Sequence, residues 1–260
     1  MLAVDASAIS EPGSTGTDWN LHYSIDLRTL QCAHFEITDY KKGERLSRYP
    51  LKKGDICIAD RIYGTVKSAA YAREHGADLV VRVRSKGLNF YDNNGEHINL
   101  EERFSCLSEP GHMRSWSASI GASAPLQIPG RLICIRKNKA ATEATLQKIR
   151  RIAQRKQQAV SQAALNMAPY FFIWTTIDHQ TADDATVLHW YRLRWQVELA
   201  FKRLKSLMSL GHLPKKDPDT ARAWLQGKLF ASMLLERIHA EAESFSPWGF
   251  PLGGAQESVA

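Results

Sequence analysis

Cysteine is scarce in this chain. The 260 residues hold four, Cys32, Cys57, Cys106 and Cys134, and no C-x-x-C occurs among them. A zinc ribbon and a redox dithiol are therefore excluded. Cys57 and Cys134 lie in the apolar runs ICIAD and LICIR and read as small core residues. A disulfide is not expected in an intracellular chain. Long apolar runs are missing as well: no stretch approaches the roughly 20 residues that span a bilayer, so no membrane partner is expected. The first residues, MLAVDASAIS, have neither the basic region nor the apolar region of a secretory signal, and a cytoplasmic location is expected. The nine histidines form no H-x-x-H or H-E-x-x-H set, and His189 and His212 read as structural. No internal repeat is present, and 44% hydrophobic with 9% aromatic residues excludes a disordered or fibrous chain.

What the sequence does have is positive charge, and it is concentrated. The formal net charge is +7. Between Arg136 and Lys156 (RKNKAATEATLQKIRRIAQRK) stand eight Lys/Arg and one acid, Glu143, so this segment carries the whole excess. Such a stripe is either a solvated helix face or the footprint of a polyanion binder. The residues placed on a nucleic-acid backbone are Lys148, Arg150, Arg151 and Arg155.

The order of elements is mixed α/β. LAV leads into Asp5, and a Gly/Ser/Thr-rich loop is followed by the strand-like runs LHYSIDL and CAHFEITD. A basic turn region, KKGERLSRYPLKKG, precedes the continuously apolar DICIAD, which suits a central strand covered on both faces. Thr65 to His75 reads as a helix stopped by Gly76, and the strand DLVVRVR follows. This order predicts a ribonuclease-H-like core, a mixed five-stranded sheet with flanking helices. Residues 87–166 read as a mostly β insertion with strand-like INLEERF, RSWSASI and RLICIR and the basic helix. The core resumes over 167–243 with the apolar strand YFFIWTTI and then helices, broken near Gly211–Pro218. The first part of the core is 1–86, and 244–260 reads as a loose tail.

One helix carries most of the chemistry. If Trp190–Met208 forms a single helix, Tyr191, Arg194, Glu198, Lys202 and Lys205 share one side. Val197, Ala200, Phe201, Leu204 and Leu207 share the other. The polar side is an ordinary solvated face with i,i+4 pairs such as Arg194–Glu198, or a lone metal-ligating carboxylate among phosphate-binding cations. Asp5 and Asp60 each follow an apolar strand, where a carboxylate is costly unless paired, hydrogen-bonded or coordinated. Two such acids on neighbouring strands would repel, and a divalent metal relieves that repulsion. With Glu198 they make a donor set suited to two Mg²⁺ ions about 4 Å apart, with Mn²⁺ as a possible substitute.

At these residues the sequence resembles the DDE transposases of bacterial insertion sequences, of the insertion-sequence-four type. The family signature Tyr-x2-Arg-x3-Glu-x6-Lys is matched by Tyr191, Arg194, Glu198 and Lys205. ADRIYG resembles the motif around the second acid, Asp60, and LAVDAS followed by GSTGTDW resembles that around the first, Asp5. The resemblance implies catalytic and metal-ligating roles for Asp5, Asp60 and Glu198 and phosphate contacts for Tyr191, Arg194 and Lys205. It places Arg84 and Lys86, in VVRVRSK, on DNA as well. Spacing back from Tyr191 puts Tyr170, with Trp174 nearby, where some relatives stack an aromatic on a flipped base, although YFFIW also reads as core. The implied activity is metal-dependent strand cleavage and strand transfer in cut-and-paste transposition. The implied partners are double-stranded DNA and a second copy on paired ends, at the nucleoid. Family members carry a helical end-binding region before the first Asp, so an N-terminally truncated chain is expected here. A remnant that binds DNA or inhibits intact transposase is the alternative.

Overall fold

The computed structural model describes residues 1–85, 87–121 and 127–244. In chain order, β1 is Leu2–Ile9, β2 Trp19–Asp26, β3 Cys32–Asp39, β4 Ile56–Ala59, α1 Val66–Glu74 and β5 Asp78–Arg82. Then come β6 Phe90–Tyr91, α2 Leu100–Ser105, β7 Met113–Ser117, β8 Ser119–Ile120, β9 Arg131–Arg136, α3 Lys139–Arg155 and α4 Gln162–Asn166. The last elements are β10 Tyr170–Thr175, α5 Asp184–Leu193, α6 Trp195–Leu207 and α7 Pro218–Ser244. The architecture is mixed α/β. The chain forms two compact units, one of residues 1–5 and 44–195, the other of residues 6–43 and 196–260.

The first unit is built on β4. Its sequence ICIA has no polar position because a parallel neighbour lies on each side: Leu2–Val4 of β1 pair with Cys57–Ala59, and Ile56–Ala59 pair with Asp78–Val81 of β5. The β4–β5 connection is α1, capped by Thr65, whose side chain accepts from Ser68 N–H, and stopped by Gly76 at φ +64°. Beyond β5 the sheet turns antiparallel through β10, β9 and β7. Residues 113–117 and 131–136 are thus strands of the same sheet as the first acid-bearing strands. The core gathers Val4, Ala59, Tyr63, Val81, Phe104, Leu132 and Trp174. Trp174 donates its indole N–H to Ala118 O at 2.7 Å, and a Cβ on Gly130 would lie 2.4 Å from its ring, so only glycine fits there.

Two local expectations fail. INLEERF is not a strand. Asn99 accepts from the N–H groups of Glu101 and Glu102, those two acids fill the first turn, and α2 results. Nor is Trp190–Met208 one helix. Arg194 N–H bonds to Tyr191 O at 3.1 Å, an i to i+3 step that ends α5, and α6 restarts at Trp195. The wheel loses its phase at that joint. Tyr191, placed at the centre of the polar side, is 9% exposed, while Leu207, placed in the apolar stripe, is 77% exposed.

In the second unit β2 and β3 pair antiparallel, from Trp19↔Asp39 to Ile25↔Cys32. The Tyr23 ring packs 5.8 Å from Phe201 of α6, and Leu213 N–H donates to Ser10 O at 3.0 Å. α7 follows Asp217, which accepts from Thr220 N–H, and Arg222 on its first turns lies over Trp19. Residues 245–260 of the expected tail lie outside the described residues.

Candidate active site

Register alone brings two of the expected acids together. The β1–β4 pairing ends at Val4↔Ala59, and the next residue on each strand is Asp5 and Asp60. The strands are parallel; Asp60 follows the carboxyl end of β4, where open α/β sheets place their sites, and Asp5 lies within β1 at the point where its pairing with β4 stops. Asp60 Oδ1 accepts from Arg61 N–H, and Asp60 O accepts from Tyr63 N–H at 3.0 Å as the chain turns toward α1. Asp5 Oδ2 accepts from the Arg194 guanidinium at 3.3 Å, with side chains 19% and 15% exposed. A half-buried carboxylate thus has its cation, delivered from the end of α5.

A third carboxyl, one that no motif reveals, faces this pair. Burial pushes Glu44 up to about 7, and the negative charges of Asp5 and Asp60 add to the effect. Its Oε2 is buried with no hydrogen-bond partner. Burial also raises the Tyr49 and Tyr63 phenols well above the ordinary range, so both keep their protons. The surrounding sequence conceals Glu44, since it sits among the cations of KKGERLSR. The signal that could have found it is that it is the single acid in that run.

Beside the acids lies a cavity of about 650 Å³, lined among others by Arg136, Lys137, Phe171, Tyr191, Arg194 and Trp195. The Tyr191 ring packs 5.6 Å from Phe171 and lies under Arg194. Burial raises the Tyr191 phenol, which Arg194 partly offsets. Arg82, at the end of β5, lies over the Phe171 ring at 5.2 Å. Lys137 donates to Thr145 Oγ1 and Ala168 O, and burial with the Arg82 charge lowers it to about 8. Trp195 is 51% exposed, an unusual place for an indole unless it meets a partner.

The remaining expected residues stand as follows. Glu198, Lys202 and Lys205 are exposed on α6, opposite the buried Val197, Ala200, Phe201 and Leu204. Arg84 is exposed just after β5, and Lys86 lies outside the described residues. Lys148, Arg150, Arg151 and Arg155 are all exposed on α3, which has no buried residue. Tyr170 is half-buried against Phe104 and Arg136, and Trp174 is fully buried in the core. Among the described residues no three His, Cys, Asp or Glu side chains are gathered into a ready metal site, and no helix is long and apolar enough to cross a membrane.

Residues 2–234 match the family described as "Transposase DDE domain". The chain is 34% identical over 255 residues to the transposase for insertion sequence element IS421 of Escherichia coli, covering 94% of this chain and 67% of that one. The same figures hold for InsL of insertion sequence element IS186A of E. coli K12. It is 23% identical over 246 residues to the transposase for IS231F of Bacillus thuringiensis subsp. israelensis, covering 86% of this chain and 51% of that one.

Proposed function

The chain belongs to the DDE transposase family, and from that membership and the strand-end acids we propose that it cuts and joins DNA strands in the movement of an insertion sequence. The observation that carries the reading is that Asp5 and Asp60 are the residues directly after the last β1–β4 pair, Val4↔Ala59, with Arg194 on Asp5. In this reading β1, β4, α1 and β5 are the centre of a ribonuclease-H-like core, and residues 87–166 are the family's insertion.

The donor set fits a hard divalent cation. It consists of carboxylate oxygens, and repulsion among Asp5, Asp60 and Glu44 favours a positive ion between them. Asp5 and Asp60 would hold Mg²⁺, and the family motif assigns Glu198 as the third ligand. A bound pair of such ions supplies an activated water or 3′-hydroxyl and charge stabilisation at the leaving oxygen. The protein's own residues do the rest. Arg194 holds the Asp5 carboxylate in place, and Arg61 N–H does the same for Asp60. Phe171, Tyr191 and Trp195 offer aromatic faces for an unpaired base, with Arg136 and Lys137 for its phosphates. Lys202, Lys205 and Arg84 add backbone contacts, and the α3 cations add salt-sensitive affinity. Tyr191 enters this scheme as a cavity wall, with Arg194 beside it, and a second copy on paired ends is part of the same proposal.

The test is Mg²⁺-dependent nicking of a duplex carrying an insertion-sequence end, by the native chain and by Asp60→Ala and Glu198→Ala. Loss in both variants supports the assignment, and unchanged nicking removes it. A native chain that binds the duplex without nicking it would favour a DNA-binding remnant.

A further inference from the structure

Arg131 opens β9 as a buried cation, 7% exposed, and the function proposed above makes no use of it. Its backbone is held on both sides, opposite Thr175 of β10 and Ser117 of β7. Its guanidinium is spent on one place, the connection from β10 to α5. Nε donates to Ile177 O at 2.9 Å, Nη2 to Ala182 O, and Nη1 to the carboxylate of Asp184. A buried guanidinium is costly unless its planar fork meets acceptors, and here each nitrogen has one.

The three acceptors span the whole connection. Ile177 stands near its start, Ala182 near its close, and Asp184 is the first residue of α5. Between them Asp178 accepts from the N–H groups of Gln180 and Thr181, and Asp183 caps α5 by accepting from Thr186 N–H. The connection is thus a fixed shape, and Arg131 ties it to the sheet. Downstream, the 10 residues of α5 end at Arg194, whose guanidinium meets Asp5 Oδ2 at 3.3 Å. A helix of that length spans about 15 Å, so a tilt of about 10° at its start moves its end by roughly 2.5 Å. The Arg194–Asp5 contact does not survive such a shift.

We propose that Arg131 is a positioning residue: by clamping the start of α5 to β9 it sets where Arg194 stands, and through Arg194 where the Asp5 carboxylate points. The clamp stands on the fold alone, and its effect on DNA chemistry rests on the function proposed above. A plain structural role would lower stability and leave the Asp5–Arg194 pair as strong as before.

The experiment is a double-mutant cycle on Asp5→Asn and Arg194→Gln, read by urea unfolding of the metal-free full chain. In the native background the pair should be coupled by about fivefold or more in the unfolding equilibrium, as residues in contact are. In Arg131→Lys, whose ammonium cannot reach three acceptors at once, the coupling should fall below about twofold. Asp184→Ala removes the contact on α5 itself and should do the same, and it carries the test if Arg131→Lys fails to fold. Coupling that survives in either folded variant, or that is absent from the native chain, overturns the proposal. Mg²⁺-dependent nicking gives a second readout. Either variant should lower kcat about tenfold or more and leave KM for DNA within about twofold, because a displaced catalytic group slows the chemistry and a buried Arg131 meets no phosphate. An unchanged kcat, or a loss confined to KM, also overturns the proposal. If the native chain does not nick DNA, the function proposed above fails, and the coupling still judges the clamp.

Discussion

The strand-end acids and the helix α3 use charge in opposite ways. Where the β1–β4 pairing stops, two carboxylates are half-buried and each is tied: Asp5 to Arg194 and Asp60 to Arg61 N–H. On α3 the cations Lys148, Arg150, Arg151 and Arg155 are exposed on a helix with no buried residue. In the first place position decides everything, because low polarity magnifies each contact. In the second only number counts, because water and salt screen each charge. The net charge of +7 comes from the second kind and says nothing of the first.

The largest effect that tests this contrast is on chemistry. Asp60→Ala should lower nicking by about 10³-fold or more, since removing a ligand forfeits several kcal/mol of transition-state stabilisation. A gel assay with Mg²⁺ at fixed DNA reads it. The same assay on the fourfold α3 variant should show a deficit that saturating DNA restores.

Next comes Arg194. Its loss removes the Arg194–Asp5 ion pair, and Arg194→Ala should cost about 1–3 kcal/mol in urea unfolding, less than a fully buried pair because both side chains retain some exposure. Adding Asp5→Asn should recover part of that cost, and strict additivity would mean the pair is not coupled.

Third, replacing Lys148, Arg150, Arg151 and Arg155 by Gln should flatten the slope of log affinity against log salt by roughly 3 to 4 if each meets a phosphate. Stability should stay within about 0.5 kcal/mol, as expected of exposed positions. An unchanged salt slope would make α3 a solvated face and dissolve the comparison.

The smallest effect is a pH dependence of stability. Glu44, faced by Asp5, Asp60 and Tyr63, has its folded pKa raised to about 7. Below its unfolded pKa of about 4.3 both states hold the proton and nothing is lost. As pH rises toward 7 the unfolded chain releases its proton first, so stability falls through that window and levels off above it. With chelator present, the Tm of the native chain should drop by a few degrees more between pH 5 and 8 than that of Glu44→Gln.

The strands that set the site were legible because their patterns are unambiguous. ICIA has no polar residue and became the central strand, and the Asp directly after it marks the end of β4, whereas β1 runs on past Asp5 to Ile9. Helix phase was less legible. Arg194 looks like any helical residue, but one i to i+3 hydrogen bond there reset the register and turned Tyr191 inward against Phe171. Asn99 was misread because alternation in INLEERF hides a cap that acts through three residues only. Glu44 was hidden because a single acid among the cations of KKGERLSR leaves no spacing to read.

The register of β1 also dictates an order of assembly during synthesis. Leu2–Val4 can pair only after Cys57–Ala59 have emerged, and the guanidinium that neutralises Asp5 arrives 189 residues after it. Until then the nascent chain holds a bare strand edge and two like charges meeting at its tip. Such non-local parallel pairing is slow and open to aggregation. A ribosome paused before residue 194 would therefore carry Asp5 without its Arg194 ion pair.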